Sequence, residues 1–170
     1  MDSNDIIISK IMGDMISYFQ QDVKRINHAL KVYDFAYIIS KETNVDADKH
    51  LMICVAALLH DIGIKEAERK YQSSSGKYQE IEGPTIATKI LLPYNLGEKF
   101  LERLHFIIGN HHTYSKIDGV DFQILVEADF LVNIFEDSMS KELIQNIKKE
   151  MFKTITGIRL LDEMYLGARG

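Results

Sequence analysis

Apolar residues recur at spacings of three and four along almost the whole chain, and the alternation expected of a strand is nearly absent. That period lines one face of a helix, because each residue turns the α-helix by about 100°. Ile7, Ile8, Ile11, Met15 and Phe19 mark a first helix, with Asn4 able to cap it. Over 21–41 a second helix aligns Val23, Ile26, Leu30, Tyr33 and Tyr37 on one face. A third, capped by Asp46 or Asp48, runs through Leu51 and Val55 to Leu59 and stops near Gly63.

A short helix is predicted over 64–71, followed by "QSSSGKYQ", whose small polar residues read as a mobile surface loop. Pro84 suits the first turn of a helix ending at Leu92. Another helix runs from Glu98 to about Gly109, "TYSKIDG" is a loop, and Asp121 caps a helix through Leu125, Ala128 and Val132. Two amphipathic segments, from Lys141 and from near Thr154, close the chain. No repeat, low-complexity tract or linker interrupts the series. The expectation is one all-α domain over 1–170, a bundle of about seven to nine helices, with its core over 22–133 and C-terminal helices over 140–166.

A length of 170 residues suits one domain with a sizeable core. With 46% hydrophobic and 26% charged residues, the chain falls in the globular class rather than the disordered one. Its net charge of −5 argues against a nucleic-acid polymer or an anionic membrane as partner, while leaving room for a local basic pocket that holds a small anion. Cys54 is the lone cysteine, so no internal disulfide can form, and its neighbours Met52, Ile53 and Val55 suggest an inert core thiol. No apolar run reaches the length of a membrane span, and "MDSNDIIISK" carries no basic region ahead of its apolar run. A cytoplasmic setting is expected.

One stretch demands chemistry. "AALLHDIG" buries an apolar run and then places His60 beside Asp61, two groups that are costly to bury unless paired, hydrogen-bonded or bound to metal. Adjacent helical residues diverge, so two neighbours can serve one ion best where the helix is ending, and Gly63 lets it end. Polar groups interrupt apolar faces at two other places: His28 in "RINHALKVYDFA" and Asp129 in "ILVEADFLVNIF". Two imidazoles and two carboxylates from three helices would neutralise a divalent cation and leave coordination positions open for water and substrate.

This ordered set resembles the HD-domain superfamily of metal-dependent phosphohydrolases. The resemblance covers about 22–133 and includes "AALLHDIG", "EGPTIATKIL", "IIGNHH" and "LVEADFLVN". It implies an all-helical bundle with His28, His60, Asp61 and Asp129 as metal ligands, and hydrolysis of a phosphate ester, often a nucleotide, by metal-activated water. Some members bind a second metal through further histidines. His111 and His112 stand at the matching site, but Glu82 occupies a position where two-metal members usually have histidine. One divalent ion is therefore expected and a second is an open alternative. Mixed nitrogen and oxygen ligation suits Mn, Fe, Co, Ni or Zn.

Glu82 could be a ligand, a base acting on the water, or a hydrogen-bond partner for a histidine; Asp61 is the other candidate base. Arg25, three residues before His28, shares its helix face, and Lys65 lies just beyond the His-Asp pair. Both are candidate contacts for a substrate phosphate, with Lys77 a weaker one. His50 is expected at the surface and His105 as a hydrogen-bonded structural histidine. The expected function is hydrolysis of a small, nucleotide-like phosphoester. Alternatives are a two-iron oxygenase of the same fold, disfavoured by Glu82 in place of histidine, and a non-catalytic metal- or ligand-binding module.

Overall fold

Residues 3–167 are described by the computed structural model, and among them nine α-helices carry the apolar period. The expectations about the N-terminal stretch and the domain limits extend to residues 1–2 and 168–170, outside the described residues. In chain order the helices are α1 (Ser3–Phe19), α2 (Val23–Glu42), α3 (Ala47–Leu59), α4 (Ile64–Tyr71), α5 (Gly76–Leu91), α6 (Glu98–Ile108), α7 (Val120–Glu136), α8 (Lys141–Met151) and α9 (Ile155–Leu161). Short 3-10 turns at Leu92–Tyr94 and Tyr114–Lys116 and a π turn at Asp162–Leu166 complete the described chain. No strand occurs among the described residues. None of their helices is long and apolar enough to cross a membrane.

Helix α3 is the centre of the bundle, packed by α1, α2, α6 and α7. It can sit there because it is apolar all round, and every residue from His50 to Leu59 is buried. This overturns the surface position expected for His50. Its Nδ1 lies 2.8 Å from Ser40 Oγ and its Nε2 3.7 Å from Cys54 Sγ. Cys54 is buried as expected, and that burial pushes its thiol up to about 12.

The inward face of α2 also differs from the expected one. Val23 and Tyr37 are exposed, Leu30 and Tyr33 are half-buried against the core, and Ile26, Ala29, Val32, Ala36 and Ile39 form the buried stripe. The buried stripe is built on small alanines, which let α2 approach α3 and α7 closely; an apolar moment weighted to large side chains does not register them. That rotation carries His28 into the interior.

Caps behave as the capping chemistry requires. Asp22, Asp46, Ser140 and Thr154 each accept a hydrogen bond from a backbone N–H three residues on, satisfying a donor the helix leaves unpaired. Asp121 is not a cap. It lies in the first turn of α7, where it takes the Arg103 guanidinium at 2.6 and 2.9 Å and accepts from Phe122 N–H. Asn4 likewise lies inside α1 rather than ahead of it.

Helix α5 departs most from expectation. It starts at Gly76, so "GKYQ" is helical rather than part of a loop, and Pro84 sits in the helix interior. A proline there removes one hydrogen bond to the carbonyl four residues back, that of Glu80. Gly109, at the end of α6, passes beside both the Pro84 ring and that carbonyl. Two further glycine contacts seat α5. Gly63, between α3 and α4, packs directly on the Gln79 carbonyl and the Gly83 amide, and an added Cβ would stand 2.6 Å from the latter nitrogen. At the other end, Gly76 lies flat against the imidazole of His112.

Candidate metal centre

The end of α3 turns at His60, and the carboxylate of Asp61 follows in the turn into α4. Around it gather His28 from α2, Asp129 from α7, and His111 and His112 from the turn after α6. Nε2 of His28 lies 3.3 Å from Nε2 of His60, 3.5 Å from Asp61 Oδ2 and 3.2 Å from Asp129 Oδ1. Nε2 of His60 is 3.5 Å from Asp61 Oδ2 and 3.6 Å from Asp129 Oδ1. The other Asp61 oxygen, Oδ1, faces Nε2 of His111 at 3.2 Å and of His112 at 4.0 Å. Two groups have the spacing to hold an ion: His28, His60 and Asp61, and Asp61, His111 and His112. Asp61 belongs to both.

The surrounding hydrogen bonds decide what these rings present. His28 Nδ1 lies 2.9 Å from Glu136 Oε2, His60 Nδ1 2.9 Å from the Ala57 carbonyl, and His111 Nδ1 2.7 Å from the Ile108 carbonyl. All three partners can only accept, so each Nδ1 carries the proton and each Nε2 of a neutral ring turns a lone pair inward. Three nitrogen lone pairs and the carboxylates of two aspartates then converge on one small volume. Such an arrangement is repulsive unless cations or protons occupy it. The donor set therefore fits a divalent metal.

Without a metal, protons take that place. Burial pulls the His60 imidazole down, but Asp61 and Asp129 outweigh it and raise its pKa to about 9. His28 is raised too, burial being overcome chiefly by Asp129. Burial pushes Asp61 and Asp129 up; His60 and His111 hold Asp61, and His28 and His60 hold Asp129, well below the usual carboxylate range. His112 differs: burial, then the neighbouring His111, lower it to about 4, and its Nε2 has no hydrogen-bond partner.

Residues 25–150 match the family described as HD domain. The chain belongs to the HD-domain family. A crystal structure at 1.45 Å of a predicted HD superfamily hydrolase from an uncultured Thermotogales bacterium shares this fold, with a TM-score of 0.69 and 21% identity over 98% of this chain and 92% of that one. No curated protein sequence matches the chain.

In this HD domain the other expected site residues lie apart from the histidine–aspartate cluster in their contacts. Glu82 is buried, but its Oε2 accepts from Lys70 at 2.6 Å and its Oε1 from Tyr71 at 2.9 Å. The Lys70 ammonium, against the effect of burial, lowers its pKa. Arg25 is bound at 2.6 Å by both Asp22 and Glu68. Lys65 donates to the Tyr18 carbonyl at 3.0 Å and lies over that ring. Lys77 lies over the Tyr78 ring, and His105 pairs with Thr88 Oγ1 at 2.6 Å.

Three residues that support the cluster went unnoticed in the sequence. Glu136 orients His28 and is itself paired with Lys31. Asn133 donates to Asp129 Oδ1 at 2.9 Å. They follow Asp129 by seven and four residues, so helical spacing alone would have placed them on its face. Glu80 on α5 accepts from the His112 N–H and from Thr113 Oγ1, tying the His111–His112 turn to that helix. Gln79 beside it is buried, with Oε1 unpartnered. No apolar period points to either.

Proposed function

We propose that this HD domain is a metal-dependent phosphohydrolase acting on a small, nucleotide-like phosphoester in the cytoplasm. The observation that carries the reading is the Asp61 carboxylate, with one oxygen toward His28 and His60 and the other toward His111. His28, His60, Asp61 and Asp129 would hold one divalent ion. A divalent ion there would acidify a water and polarise a phosphoryl oxygen.

The chain's own residues divide the remaining work. Asp61 and Asp129 supply two negative charges that offset the ion's charge. Glu136, the Ala57 carbonyl and the Ile108 carbonyl keep three rings in the tautomer that can ligate. Of the two candidate bases, Asp61 is favoured over Glu82, because its oxygens lie within the cluster while both Glu82 oxygens are already engaged. Arg25 stands one turn from His28, and it or Lys65 would contact a phosphate by exchanging a present partner for it. The lone cysteine and the negative net charge support a cytoplasmic setting and a small substrate rather than a polyanionic one.

The test is metal analysis of the purified chain, followed by turnover of phosphomonoesters, cyclic nucleotides and nucleoside triphosphates with Mn, Fe, Co, Ni and Zn. Hydrolysis of one class that disappears in Asp61→Asn is the expected result. Stoichiometric metal with no turnover of any phosphoester would overturn the enzymatic reading and leave a metal-binding module.

A further inference from the structure

Nε2 of His112, within the centre, and Oε1 of Gln79, on the helix packed against Gly63, are buried polar atoms without hydrogen-bond partners. Gln79 is only 5% exposed. A dry amide oxygen is destabilising unless something donates to it or is coordinated by it.

The position of that oxygen follows from α5. Gly76 faces the His112 imidazole so closely that a Cβ there would stand 2.6 Å from the ring Cγ. Gln79 lies three residues further along the same face. Helical side chains lean toward the N-terminus of their helix, which brings the Gln79 amide over the turn that meets His112. Its Nε2 follows this lean and donates to the Ser74 carbonyl at 2.7 Å, just ahead of the helix. With the nitrogen anchored, Oε1 is the free end. The backbone carbonyl of Gln79 meets Gly63, two residues beyond Asp61. One turn of α5 thus spans from the His-Asp pair to His112.

We infer that Gln79 Oε1 is a neutral oxygen ligand of a second cation site, completed by Asp61 Oδ1 and the Nε2 atoms of His111 and His112. This rests on the metal-centre reading above. The two sites are then unequal. The first has two carboxylates, whereas the second shares Asp61 and gains no charge from an amide. Its ion is the weaker bound, and an amide oxygen tilts the site toward harder ions such as Mn²⁺. Occupancy of the second site would follow cation concentration while the first stays filled.

The experiment is a titration of the chelator-stripped full chain with Mn²⁺, followed by calorimetry and by the paramagnetic resonance of free Mn²⁺. Wild type should bind two ions, the second at least about tenfold more weakly. Gln79→Ala should weaken the second step about 10–100-fold, as loss of a group supporting a metal does, and leave the first unchanged. Gln79→Glu, which adds a charge to the same position, should tighten the second step, and it covers the case in which the alanine variant fails to fold. Two unchanged steps in either variant, or a single step in wild type, would overturn the assignment of Gln79 while leaving the first-site reading intact. Absence of any bound ion would overturn both.

Discussion

Oδ1 of Asp61 lies 3.2 Å from Nε2 of His111. The other oxygen of the same carboxylate lies 3.5 Å from both His28 and His60, so one side chain joins two sets of nitrogen lone pairs that share no other member. Its place at the α3–α4 turn, backed by Gly63 against α5, makes that double contact geometrically available.

Asp61→Asn should therefore lose more than a single ligand. The amide keeps the size but removes the charge that holds both groups together, so bound divalent metal should fall to about a tenth or less, with helical circular dichroism preserved. Equal stoichiometric metal in variant and wild type would refute a metal centre built on Asp61.

Glu136→Ala should weaken the first ion selectively. Without the carboxylate at His28 Nδ1, the ring can place its proton on Nε2 and withdraw its lone pair. The expected loss of affinity is about 10–100-fold, measured by competition with a chromophoric chelator. An unchanged affinity would show that the 2.9 Å contact does not set the tautomer.

Stability of the metal-free protein should peak near pH 6.5. His60, raised from 6.5 to about 9, contributes stability that is complete below 6.5 and lost as pH rises through 9, and His28 shifts in the same direction. His112, lowered from 6.5 to about 4, acts oppositely, and its contribution is lost as pH falls from 6.5 toward 4. Asp61 and Asp129, depressed from 3.8, lose theirs in still stronger acid. Melting temperatures across pH with chelator present test this. Saturating metal should abolish the alkaline decline, since the ion replaces the protons, and affinity for metal should rise between pH 6.5 and 9. A flat profile for the metal-free protein would contradict the assigned protonation.

Glu127→Ala separates structure from chemistry. Glu127 is fully buried on α7, near Asp129 in sequence, yet it holds the chain between α8 and α9. Its oxygens accept from the Lys153 and Thr154 N–H groups, from Thr154 Oγ1 and from Gln123 Nε2. Removing it leaves those donors unpaired and should cost about 2–4 kcal/mol in urea unfolding, with metal content unchanged. A loss below about 0.5 kcal/mol would mean that water replaces the carboxylate.

Much of this architecture was legible as pattern. The three-and-four spacing of apolar residues marked the helices, and polar residues breaking buried runs at His28, His60, Asp61 and Asp129 marked side chains that the fold brings together. Local signals failed where partners distant in sequence overrode them. Pro84 reads as a helix start until Gly63, Gly109 and His112 are seen clasping α5 around it. His50 reads as surface because its flank is polar, but α3 is covered on every side. Asp121 reads as a cap, yet Arg103 claims its carboxylate from another helix.

By itself, then, the sequence determined the all-helical class and the polar residues that interrupt its apolar runs, because helical period and the cost of burying a polar group are properties of short windows. Which way α2 turns, which oxygen of Asp61 faces which histidine, and that Glu136 and Glu80 stand behind the cluster were decided only by tertiary packing. Those relations depend on angles between helices, and such angles follow from side-chain volumes and glycine contacts far apart in the chain, where no local spacing records them.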